Sequence, residues 1–162
     1  MKKLILIVVF AALNSCSSDN ENSNAASFDA KVIINLQSED GVNLLNTSNY
    51  NPNSFKVYYK VGNEFIEQNN NDYDYPKNFF VDTESNPSTI HLFMNMAETE
   101  TFPITVIKWN ETESDTLKTS YRRGSGGEEG LYVSWQKIWL NDSLVLDLSN
   151  PAINGNEITI IK

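Results

Sequence analysis

Apolar and polar residues alternate with a period of two along most of this chain, and no window carries a 3.6-residue period over ten residues. Side chains two apart share one face of a strand, so the pattern calls for strands with one buried face. Residues 30–37 (AKVIINLQ) set Val32, Ile34 and Leu36 on one side. Residues 55–61 alternate Phe55, Val57, Tyr59 and Val61 with Lys56, Tyr58 and Lys60. Gly62-Asn63 follows, a pair suited to a tight turn, and then residues 64–68, which together read as a hairpin. Residues 89–96 alternate Ile90, Leu92, Met94 and Met96 with His91, Phe93 and Asn95. Residues 102–109 and 115–121 flank a polar turn at 110–114, and residues 131–140 and 144–148 flank Asn141-Asp142-Ser143. Residues 157–161 close the series, and 77–82 (KNFFVD) is a weaker candidate.

Eight or nine short strands at this spacing predict an all-β domain. One face of each sheet must be covered, and two stacked sheets achieve that. The expected fold is therefore a β-sandwich, immunoglobulin-like or transthyretin-like in general shape, with a small open β-barrel as the alternative. Within 131–139 the odd positions Leu131, Val133, Trp135 and Trp139 read as the buried face, and Lys137 marks a bulge or a snorkelling stem. Within 102–109 the alternation puts Phe102, Ile104 and Val106 on the face opposite Trp109. Of the three tryptophans, Trp109 is the one expected at the surface. Three long polar segments, 38–54, 69–78 and 122–130, are expected to be loops, where ligand contacts tend to be placed.

The start of the chain is different in kind. Met1-Lys2-Lys3 is positive, and residues 4–13 (LILIVVFAAL) are an unbroken apolar run. Ten residues are too few to span a bilayer, which takes about twenty, but they suit the apolar region of a signal peptide. Leu13-Asn14-Ser15-Cys16 follows, with the chain's single cysteine. This resembles the lipobox of bacterial prolipoproteins. The resemblance implies cleavage after residue 15 and a diacylglycerol on Cys16. Residues 16–27 are polar and mildly acidic, so they are expected to be a flexible tether, leaving 28–162 as one domain. A lone cysteine leaves no disulfide and no thiol zinc site.

Loss of residues 1–15 removes Lys2 and Lys3 and no acid, which takes the net charge from −9 to −11. So acidic a surface repels nucleic acid. The candidate chemistries are few. Trp109, exposed, would offer a stacking face to a sugar. Asn70, Asp72 and Asp74 have the alternate spacing of a calcium loop, but its glycine and glutamate positions are held by Tyr75 and Val81, so the motif fails and no metal or cofactor is expected. The segment Gly124-Ser125-Gly126-Gly127 is followed by two glutamates, not by the Lys-Ser/Thr of a phosphate loop. His91 is the only histidine, which leaves no multi-histidine metal site, and no nucleophile-elbow motif accompanies it. No catalytic residue is assigned.

Asp115-Thr116-Leu117 and Asp142-Ser143-Leu144 resemble the Asp-Ser/Thr-apolar acceptor of Bacteroidetes O-glycosylation, which makes Thr116 and Ser143 candidate modification sites. The lipobox, the acidic residues after it (Ser-Ser-Asp-Asn-Glu) and the small β-rich domain together resemble small surface lipoproteins of that group. The resemblance implies a lipid anchor in the outer membrane, with surface exposure favoured over a periplasm-facing position. The expected function is a non-enzymatic module that binds a glycan or an envelope protein. A polymer hydrolase using a carboxylate pair and a structural assembly subunit are the alternatives. The ligand and the oligomeric state are left open.

Overall fold

The computed structural model describes residues 26–45, 47–126 and 130–162. Cys16 and the lipobox lie outside the described residues. Eleven strands are present: β1 (Ser27–Asp29), β2 (Lys31–Gln37), β3 (Lys56–Val61), β4 (Glu64–Glu67), β5 (Phe79–Asp82), β6 (Thr89–Phe93), β7 (Ile104–Lys108), β8 (Ser114–Gly126), β9 (Gly130–Leu140), β10 (Ser143–Asp147) and β11 (Glu157–Ile161). Among the described residues the only helical element is the single 3-10 turn Pro52–Ser54. They form two sheets. The larger runs β1-β9-β8-β7-β3-β4, with β10 also pairing β9; the smaller runs β11-β2-β6-β5. Neither closes on itself, so the fold is a β-sandwich and not a barrel.

Alternation accounts for the packing. β2 is buried at every second residue, and Val32, Ile34 and Leu36 are fully buried. They meet Ile90, Leu92, Ile158 and Ile160 from the same sheet and Phe55, Val57, Ile107, Leu117, Trp135 and Ile138 from the other. Each such side chain contributes about 1.5–3 kcal/mol on burial. The hairpin turns are of the types that follow strand twist. Gly62 sits at φ 59, and Asn141 and Asp142 both have positive φ, at 46 and 68.

Three expectations need correcting. The segment 122–130 is not a long loop: β8 continues to Gly126 and β9 begins at Gly130, so it is mostly hairpin arm. Tyr132 lies across from Gly124, and its ring occupies the space a Cβ there would need. Ser27, expected as the last residue of the polar tether, pairs with Tyr132 in a parallel ladder. The bulge suspected at Lys137 exists, with a register shift between Ser120 and Tyr121. Its effect is to turn Ile138 inward and Trp139 outward, so Trp139 leaves the buried face.

Beside the bulge, Lys137 Nζ lies 2.8 Å from Asp147. The Ser149 hydroxyl and amide also donate to Asp147, at 2.6 and 2.9 Å. The Lys137 contact first, and then Ser149, hold this carboxyl down at about 2. A depressed carboxyl contributes stability above its unfolded value of about 4 and loses it as pH falls through the folded value. The thermal midpoint is therefore expected to hold steady from neutral pH to about 4 and to drop towards pH 2. Asp147→Asn should flatten part of that drop in a pH series of melting curves.

Candidate functional site

The segment 69–78 folds back so that Tyr75 lies against Phe80 and Phe93 of the small sheet. Asn70 accepts from the Asp72 amide at 3.0 Å, and its own amide donates to the Pro76 carbonyl at 2.9 Å. Asn78, at φ 57, donates through its side chain to Gln68 and offers its carbonyl to the Phe93 amide at 2.9 Å. These bonds hold Tyr73 and Tyr75 out over the small sheet. Tyr75 stacks on Phe80 at 4.5 Å and on Phe93 at 5.6 Å, and Phe80 stacks on His91 at 4.5 Å. Burial first, then the Lys31 ammonium, hold His91 below its usual range, which keeps it neutral in this stack at pH 7.

Tyr73 does not stack in this way. It is 59 % exposed and stands on the rim of a cavity of about 460 Å³. Phe28, 60 % exposed, also borders the cavity, along with Tyr59, Phe93, Met94 and Met96. Lys31, Gln68 and Asn78 place polar groups in the same wall. The Tyr59 hydroxyl is already committed to the Phe93 carbonyl at 2.8 Å, and burial raises its pKa strongly. Apolar walls with a few polar groups, in a concavity of this size, suit a small ligand or one or two sugar rings. A shallower concavity on the other side of Tyr73 is lined by Asp72, Asp74 and Tyr75, so carboxylates flank the aromatic rim. Asn70, the first residue of the calcium-like spacing, has its side-chain oxygen taken by the Asp72 amide. Among the described residues no three His, Cys, Asp or Glu side chains are grouped to hold a metal ion.

The aromatic residue expected at the surface, Trp109, is fully buried. β7 turns Thr105 and Ile107 inward, with Trp109 next in phase, and Phe102 is 47 % exposed. The reversal has a physical cause. The Trp109 indole N–H donates to Asp115 at 2.5 Å, and its ring takes the edge of Phe55 at 5.1 Å. A buried indole needs such a partner, and a stacking role for Trp109 is excluded. Phe28, Phe65, Tyr73, Tyr75 and Phe102 are the exposed aromatics instead, and Trp139 is half-buried. Asp115, Thr116 and Leu117 are unequal in exposure: Thr116 is half-buried between a buried Asp115 and a buried Leu117. Asp142, Ser143 and Leu144 are all exposed, so only Ser143 presents its whole tripeptide on the folded domain.

A third concavity, of about 600 Å³, lies between the 38–54 loop and the turn after β7 and contains Glu111 and Glu113. Glu113 accepts from Asn110 at 2.7 Å and from Tyr50 at 2.8 Å, which hold its pKa down. Lys108 does the same to Glu111. A glycosidase pair needs one carboxyl with a raised pKa, and these two are shifted the opposite way. Sequence reasoning missed the Tyr73 cavity because Phe28, Tyr73 and Phe93 come from three distant segments. The available signal was two tyrosines in a loop otherwise dominated by Asn and Asp. Comparison with protein-family models, with curated proteins and with solved structures finds no match to this chain.

Proposed function

We propose that this chain is a lipid-anchored envelope protein of the outer membrane, facing the cell exterior, that binds a glycan without turning it over. The anchor rests on the apolar run at residues 4–13, the lipobox ending at Cys16 and the acidic residues after it. The binding role rests on one observation: Tyr73 and Phe28, each more than half exposed, border a cavity whose wall also carries Lys31, Gln68 and Asn78. Sugar rings present apolar faces and hydroxyl edges, and such a wall meets both. The non-enzymatic part rests on the depressed carboxyls of Glu111 and Glu113, which supply no general acid in the concavity that they line.

The test is a glycan array with the purified protein, followed by titration of any ligand found. Tyr73→Ala is expected to weaken binding about tenfold, the loss of one stacked aromatic contact. The melting temperature should stay unchanged, because Tyr73 is at the surface. A flat array, or a Tyr73→Ala variant that binds as well as the parent, removes the reading.

A further inference from the structure

The two faces of the seven-stranded sheet differ sharply in charge. Its outer face carries Lys56, Lys60, Lys108, Lys118, Lys137 and Arg122, six of the ten basic residues beyond residue 15, on a chain of net charge −9. Apolar side chains run between them in a row across the strands. Phe65 pairs with Lys60, Ile104 with Lys118, Lys118 with Trp139, and Trp139 with Leu144. The row therefore crosses from β4 to β10, and strands are spaced about 4.8 Å apart. Phe65, Phe102 and Leu144 are 53 %, 47 % and 42 % exposed. Phe102 sets its edge on Trp139 at 5.6 Å, and the Lys118 ammonium lies 5.3 Å from the Trp139 ring centre.

Four of the lysines have carboxylate neighbours, including Glu111 and Asp142, whose side chains are 91 % and 94 % exposed. Exposed pairs of this kind contribute little, so a carboxylate arriving on a ligand can take over the ammonium. Lys60 and Arg122 have no ion pair among the described residues. Lysines alternating with apolar and aromatic side chains fit a polymer that alternates charge with apolar ring faces.

We propose that this face binds an anionic polysaccharide, a chain of carboxylated sugars lying across the strands. Sugar faces rest on Trp139 and Phe102, and carboxylates meet Lys60 and Lys118. Single-stranded DNA spaces its charges similarly and also offers flat ring faces, so it is the competing occupant, and the titration below separates the two. The proposal is independent of the Tyr73 cavity, whose lining includes none of these residues.

The experiment is a calorimetric titration of the full-length protein in detergent with oligogalacturonate. Its fully methyl-esterified form and single-stranded DNA of equal charge serve as comparisons. Oligogalacturonate should bind, more weakly as salt rises. The ester, Trp139→Ala and the double variant Lys60→Gln/Lys118→Gln should each cost about tenfold or more in affinity, the equivalent of 1.4 kcal/mol. Absence of oligogalacturonate binding, equal binding of the ester, tighter binding of DNA, or unchanged affinity of the lysine-pair variant would each overturn the proposal. Lys60→Gln alone removes no ion pair seen in the structure, so it remains informative if Trp139→Ala unfolds.

Discussion

Asp115→Ala is expected to destabilise the domain by about 3–5 kcal/mol, the cost of breaking a buried ion pair by removing one partner. Asp115 sits on β8 and is nearly inaccessible. One of its oxygens receives the Trp109 indole at 2.5 Å and the Lys162 ammonium at 2.7 Å; the other receives the Asn141 side-chain amide at 2.6 Å. Burial alone would raise this carboxyl, but the bonds from Lys162, Asn141 and Trp109 outweigh it and hold the pKa below the usual aspartate range. Lys162 directly follows β11 of the small sheet, and its amide donates to Gln37 at 3.0 Å. The contact therefore ties the two sheets together, and alanine leaves an ammonium and an indole N–H buried without a partner. Typical domains have only about 5–15 kcal/mol in total. The loss should appear as a fall of roughly 10–20 °C in the melting temperature. Lys162→Met should cost less than Asp115→Ala, because Trp109 and Asn141 still donate to the carboxylate that remains. In a double-mutant cycle the two effects should fall well short of additive. Full additivity would mean that the two side chains do not interact.

Cys16→Ala is expected to abolish membrane retention of the protein. If the thiol bears a diacylglycerol, each buried methylene contributes about 0.8 kcal/mol, and two chains anchor where one is marginal. Radiolabelled palmitate should enter the parent protein and not the variant, and the variant should partition into the soluble fraction. Retention of Cys16→Ala on membranes would contradict the anchor. Protease added to intact cells should degrade the parent protein if it faces outward and leave it intact if it faces the periplasm.

The sandwich was legible because a period-two pattern needs only local chemistry. Val32, Ile34 and Leu36 declare their face without knowledge of any partner. Phase was harder where both faces of a strand are apolar. In residues 102–109 the two sets are Phe102, Ile104, Val106 and Thr105, Ile107, Trp109, and hydropathy slightly favours burying the first. The structure buries the second, because Asp115 meets the Trp109 indole and Lys162, from beyond the other sheet, compensates the charge. Nothing near Trp109 in sequence announces that arrangement. The bulge at Lys137 was visible as an interruption, yet only the register shows that it exchanges Trp139 for Ile138. The Tyr73 cavity was illegible for a related reason: it exists only once the 69–78 loop, β1 and β6 are assembled.

The three residues of β1 are all exposed, and they lie parallel to β9 directly after the polar residues 16–26. Any pull on that segment is delivered first to β1. The short ladder at Ser27–Asp29 is the weakest link on that line of force, because the long β8–β9 hairpin behind it is paired along its length. Phe28 belongs to this strand and also borders the Tyr73 cavity. Tension that peels β1 from β9 carries away part of the cavity's rim, so the shape of the cavity and the load on the N-terminal segment are mechanically linked.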